Sequence, residues 1–237
     1  MILISKRKLM IFIIFILFIA CIISYFKGNQ TSVFSKSVSK CIIIDAGHGL
    51  PDGGAVGMNG TIESTLNIKI AKLIEKNLKK KGFDVIMTRK DESSLASGEK
   101  TISQSKHADM NKRLEIINSS RADIFVSIHM NKFADSKYSG PQAIYSSNYE
   151  ESRLLAKCIQ EELNTLTENT SKRSELRAPN TIYLLKHAKI PSVITECGFL
   201  SNYEEEKLLN SASYQKKLSD TITKGIISYY KIIERDL

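Results

Sequence analysis

The first 40 residues contain no Asp or Glu. The whole chain lacks a CxxC pair, an internal repeat and a basic stripe interleaved with aromatics. Each absence closes a class of function. The four cysteines, Cys21, Cys41, Cys158 and Cys197, have neither the spacing of a disulfide framework nor that of a thiolate zinc site. Buried free thiols are expected instead. The formal charge of +9 invites a nucleic-acid reading, but six of those nine charges belong to the acid-free residues 1–40, so the remainder is only mildly basic at +3. Without a basic stripe, no nucleic acid is expected as a partner.

What is present describes a folding chain. Hydrophobic residues make up 42% and charged residues 25% of 237, which suits one well-buried domain rather than disorder or a fibre. Lys6-Arg7-Lys8 precedes an uncharged run over residues 9–26, closed by Lys27. Eighteen helical residues rising about 1.5 Å each nearly span a hydrocarbon core. Residues 1–8 are therefore expected as a cytoplasmic basic end, 9–26 as a transmembrane signal-anchor, 27–40 as a polar linker, and 41–237 as an extracytoplasmic domain. A cleaved signal peptide that releases the domain is the alternative, although no small-x-small cleavage site stands after Ala20. Lipidation at Cys21 is disfavoured by the bulky Phe18.

Ile42-Ile43-Ile44, ended by Asp45, reads as a strand buried on both faces, followed by Gly/Pro-rich loop as far as Gly60. Over residues 63–81, Leu66, Ile70, Leu73, Ile74 and Leu78 stand three and four apart ahead of Gly82, the pattern of an amphipathic helix with a glycine stop. Further strands are expected at 83–87, 124–128, 142–145, 182–184 and 192–195, and helices at 110–119, 151–163 and 214–233. The polar interval 89–109 lacks periodicity and reads as a surface loop. Alternating strands and helices give an α/β class: a single domain with a largely parallel twisted sheet and helices on both faces, preceded by the transmembrane segment.

His48, His129 and Glu196 stand at or near the carboxyl ends of expected buried strands, the edge where ligands gather in open α/β sheets. Glu63 opens the helix after the first strand, so the loop between can fold its carboxylate back beside His48. Singly, each reads as an ordinary hydrogen-bonded residue. Together, two imidazoles and a carboxylate suit one zinc ion and leave a fourth tetrahedral position open, as catalytic sites do. Gly47 and Gly49 flank His48 and let the turn tighten. Asp45 is expected to accept backbone hydrogen bonds or to steer His48. His107 and His187 are read as surface residues.

The stretch IIIDAGHGLPDGGAVG, then Glu63, VSIHMN and ITECGFLSN, in that order, resembles the zinc-dependent N-acetylmuramoyl-L-alanine amidases that cut bacterial peptidoglycan, over about residues 41–233. The resemblance implies His48, Glu63 and His129 as ligands of one Zn2+ and Glu196 as the catalytic carboxylate. Ala46 departs from the proline that many members carry before Gly-His, and removes no ligand. Domain size, the lone membrane segment and LRAPNTIYLLKHAKIPSVITECGFLSN are similar to the germination-specific amidases of spore formers. That implies a forespore or spore-envelope location and removal of peptide from muramic acid in spore cortex, after which a second enzyme closes the muramic δ-lactam.

On that reading Glu196 takes a proton from water and returns it to the leaving alanine nitrogen. A structural ion pair is its plainer role. A thiol mechanism at Cys197 lacks a neighbouring His, and strand alternation turns that side chain away from Glu196. Two other functions stay open: a general vegetative wall amidase, and a membrane-tethered peptidoglycan-binding module whose metal site needs a partner. The partners expected are peptidoglycan as substrate and the membrane through the anchor, with a regulatory protein as an open option. No substrate-binding residue is assigned; Arg177 and Asn180 are read as solvated surface.

Overall fold

A computed structural model describes Ile19 and residues 40–96, 101–166 and 172–235. The expected basic end and, apart from Ile19 and Lys40, the expected membrane span and linker lie outside the described residues. Among those described, no helix is long and apolar enough to cross a membrane. Ser39–Leu237 is one compact unit.

The chain order is β1 (Cys41–Ala46), α1 (Glu63–Lys80), β2 (Asp84–Met87), α2 (Ile102–Ser119), β3 (Ile124–Asn131), β4 (Gln142–Tyr145), α3 (Glu150–Leu163), β5 (Leu176–Arg177), α4 (Tyr183–His187), β6 (Ser192–Phe199), α5 (Tyr203–Leu209) and α6 (Ala212–Ile233). The strands form one sheet in the order β2-β1-β3-β6-β4-β5. β2, β1, β3 and β6 are mutually parallel, whereas β4 runs antiparallel to β6 and carries β5 parallel to itself. The sheet is thus mixed, with a parallel centre and a reversed edge pair. The connection from β3 to β4 needs no crossover helix, which is what permits that reversal.

Alternation along β1 divides the core. Ile42, Ile44 and Ala46 face one layer with Val126, Ile128, Leu66, Ile70, Ile159 and Ile222. Ile43 and Phe125 face the other, with Ile117, Leu184, Leu185 and Ile194. Helices α1, α3 and α6 therefore cover one face and α2 and α4 the other. Each fully buried Ile or Leu contributes about 1.5–3 kcal/mol. α3 and α6 meet backbone to backbone: a Cβ at Gly225 would lie 2.6 Å from the Ile159 Cα.

Two expectations are corrected here. Part of the supposed loop 89–109 is helix, since α2 begins at Ile102 behind the Thr101 side chain, which accepts from the Gln104 amide. Its buried stripe is Ser105, Asp109, Arg113 and Ile117, four apart but mostly polar, so hydrophobic periodicity could not reveal it. Residues 182–184, expected as a strand, lead into the short helix α4. Three apolar residues in a row fit either element, and burial of both Leu184 and Leu185 against β6 favours the turn of helix. α5, capped by the Asn202 side chain, went unforeseen.

Candidate active site

β1 ends at Ala46, and the turn that follows carries His48 at φ 59°, a conformation that a residue with a Cβ rarely takes. Two buried arginines hold that turn through its carbonyls. Arg89 Nε and Arg113 Nη1 both donate to Ala46 O, Arg89 Nη2 donates to Gly47 O, and Arg113 Nη2 donates to His48 O. Asn67 Nδ2 adds a second donor to Gly47 O. Arg113 is itself fixed by Asp45 and Asp109.

Asp45 takes the second of its two expected roles, acting on His48 indirectly. Its carboxylate accepts from Thr88 and Ser127 hydroxyls and from Arg113, not from backbone, and it bears on His48 only through Arg113. Burial pushes its carboxyl up, but the Arg113 guanidinium and the two hydroxyls outweigh burial and hold it below its ordinary value. The residue that orients His48 is Asp52, whose Oδ2 accepts from Nδ1 at 2.9 Å and leaves Nε2 facing Glu63.

Glu63, only 3% exposed, is the first residue of α1. Its Oε2 accepts from the Ala55 amide at 2.8 Å and its Oε1 from the Met130 amide at 3.1 Å. The same carboxylate lies 3.3 Å from His48 Nε2 and 2.9 Å from His129 Nδ1. Gly47 makes room for His129, because a Cβ there would stand 2.2 Å from Nε2. One ligand atom from each of His48, Glu63 and His129 falls within 4.8 Å of the other two. Two nitrogens and one hard oxygen at that spacing fit a zinc ion with a position to spare.

The electrostatics favour a cation. Burial pushes the His48 imidazolium down, yet Asp52 and Glu63 outweigh it and raise the group to about 9. Glu63, in turn, is held well below the carboxylate range despite its burial, by His129 and His48. Glu196 is different. It sits beside His129 in the β3–β6 register, and its Oε2 is buried with no hydrogen-bond partner among the described residues. Burial raises its carboxyl above the ordinary value. An unsatisfied carboxylate oxygen at this depth is costly, and groups carried at such a cost cluster at functional sites. Cys197, one residue on, is wholly buried on the opposite face of β6, and burial lifts its thiol well above the usual range.

A cleft of about 150 Å³ opens on His48 and His129, lined also by the apolar Met110, Ile182 and Ile194 and the charged Asp52 and Lys106. His107 and His187 are exposed and stand outside the cleft, as are Arg177 and Asn180. Arg89, Arg113, Asn67 and Asp52 were not foreseen. Asp52, four residues after His48, was the one with a local signal, since a ligating imidazole commonly donates its other ring N–H to a carboxylate.

Comparison with known proteins agrees with this geometry. Residues 42–228 match the Amidase_3 family, described as N-acetylmuramoyl-L-alanine amidase. The germination-specific N-acetylmuramoyl-L-alanine amidase of Bacillus subtilis is 36% identical over 95% of this chain and 96% of its own length. The amidase AmiA of Escherichia coli is 28% identical, with 86% and 81% covered. The solved structure of the CwlD amidase from Clostridioides difficile, in complex with the GerS lipoprotein, superposes with a TM-score of 0.78 at 44% identity, covering 82% of this chain and all of that one. With a match across most of the folded unit and a relative of this similarity end to end, the chain belongs to the N-acetylmuramoyl-L-alanine amidase family of peptidoglycan hydrolases.

Proposed function

We propose that this amidase is zinc-dependent, that His48, Glu63 and His129 hold the single ion, and that Glu196 is the general base for cleavage between N-acetylmuramic acid and L-alanine. The observation that carries the reading is the pairing of a three-donor cluster with a carboxyl beside it whose Oε2 is buried and unpartnered among the described residues. Zinc, when bound, supplies Lewis acidity, drawing electrons from an amide carbonyl and acidifying water.

The chain's own residues do the rest. Glu63, fixed by two amides, and His48, fixed by Asp52, present their donor atoms without rearrangement. Glu196 Oε2 accepts the proton of the attacking water as the C–O bond forms. It then delivers that proton to the alanine nitrogen as the C–N bond breaks, giving a lactyl carboxylic acid and a free amine, and the acid's proton passes to the amine to leave a carboxylate and an ammonium. A carboxyl raised by burial is suited to both halves of that transfer. Met110, Ile182 and Ile194 give the cleft apolar lining.

The biological setting we infer is spore cortex, where this step precedes closure of the muramic δ-lactam by a second enzyme. The name of the B. subtilis relative supports it. Residues 9–26 are taken to anchor the domain of residues 41–237 outside the cell or forespore membrane, through the linker 27–40. A lipoprotein partner is part of the proposal, since the C. difficile relative was solved with one. Mass analysis of cortex and vegetative peptidoglycan fragments, digested by the purified protein with and without chelator, tests bond, metal and substrate together. Peptide-free muramic acid that appears only without chelator supports the reading. Chelator-resistant release overturns the zinc assignment, and exclusive cleavage of vegetative wall overturns the cortex one.

A further inference from the structure

The lining of the cleft beside His48 and His129 includes the apolar Met110, Ile182, Leu184 and Ile194 and two cations, Lys106 and Arg113, among carboxylates. Arg113 is consumed, bonded to Asp45, Asp109 and the Ala46 and His48 carbonyls, and 1% exposed. Lys106 is not. Its side chain is 54% exposed, and its only ion pair among the described residues is a loose one, 3.4 Å from Asp52 Oδ2. Asp52 does not depend on it, since the same carboxylate already accepts from His48 and from the Gly54 amide. An ammonium has three donors, so Lys106 can take a second anion without leaving Asp52.

The substrate decides which anion. N-acetylated sugars of the glycan are neutral, and the lactyl carboxyl of muramic acid is consumed in the scissile amide. The charge of an uncut strand therefore lies on its peptide, whose residue after alanine bears a free carboxylate unless amidated. We infer that Lys106 is a specificity residue that binds a carboxylate on the peptide side of the scissile bond. This inference rests on the amidase reading and adds one contact to it: the peptide lies against Lys106 of α2.

The test uses zinc-loaded full-length protein and two muramoyl peptides that differ only in carboxylate or carboxamide at the residue after alanine. Wild type is expected to show a KM lower by roughly fivefold for the acid, a preference of the size that a partly solvated ion pair gives, and one that shrinks as salt rises. Lys106→Gln should erase the preference by raising KM for the acid alone, with zinc content unchanged, and Lys106→Arg should retain it. An undiminished preference in Lys106→Gln overturns the assignment. So does an equal fall in kcat on both substrates, which would mean that Lys106 acts only through Asp52 on His48. Failure of the wild type to cleave either peptide rejects the amidase reading itself and takes this inference with it.

Discussion

At His48 a strained backbone, a hydrogen-bonded ring and a raised pKa coincide, and each has a separable consequence. Proton and metal compete for Nε2. With the imidazolium favoured up to about 9, apparent zinc affinity is expected to weaken as pH falls below that value, by up to tenfold per pH unit. Asp52→Asn removes the leading carboxylate partner, so the pH dependence should begin at a lower pH, while affinity at high pH falls roughly 10- to 100-fold. Competition titrations with a chromophoric chelator across pH check both. Glu196→Gln keeps the shape and loses the base: metal content should stay at one ion per chain, and kcat should fall roughly 10²- to 10⁴-fold. Near-normal turnover by zinc-loaded Glu196→Gln would falsify the base assignment. That His48, Glu63 and His129 come together, with Glu196 beside His129, was legible in the sequence because three of the four stand at or near strand ends, where ligands gather in open α/β sheets, and Glu63 opens the helix that follows the first of those strands. Asp52 and the arginines were not, because a charged residue is ordinarily solvated and only the fold reveals that Arg113 is buried.

Among the elements, those with an apolar stripe could be read directly and those with a polar one could not. α1 announced itself through Leu66, Ile70, Ile74 and Leu78, all buried as expected. α2 buries Asp109 and Arg113 instead, so its first two turns were taken for loop. The reversal of β4 also lay beyond the sequence, since alternation of strand and helix says nothing about the direction of an edge strand. The α3–α6 contact gives this scale its test. In an exposed helix interior, Gly→Ala gains about 1 kcal/mol from propensity. At Gly225 the new methyl would meet the Ile159 backbone at 2.6 Å, and overpacking of that kind costs about 1–3 kcal/mol. Gly225→Ala is therefore expected to destabilise, seen as a lower midpoint in urea with an unchanged slope.

Across the whole molecule, Arg113 ties β1, α2 and the His48 turn into one buried ionic network. Arg113→Ala leaves Asp45 and Asp109 uncompensated, a loss of about 3–5 kcal/mol. Because the folded-state pKa of Asp45 is depressed, its contribution is fully present above the unfolded value near 4 and disappears as pH falls through the lower folded value. Asp45→Asn should flatten the stability–pH curve below about pH 4, measured by denaturant melts. Zinc should raise the melting temperature of the wild type, by about 2.7 kcal/mol of stabilisation at a hundredfold excess over Kd, and leave that of His48→Ala unmoved. The buried thiols add a practical handle. Cys41 at the head of β1, Cys158 within α3 and Cys197 in β6 are all free, buried and raised above their ordinary pKa by burial. A thiolate-seeking reagent is thus blind to the native state and marks each site only when its own segment opens. Timed alkylation followed by peptide mapping would give three clocks in one chain, at the start of an interior strand, in a helix and in the strand that carries Glu196, with no engineered label.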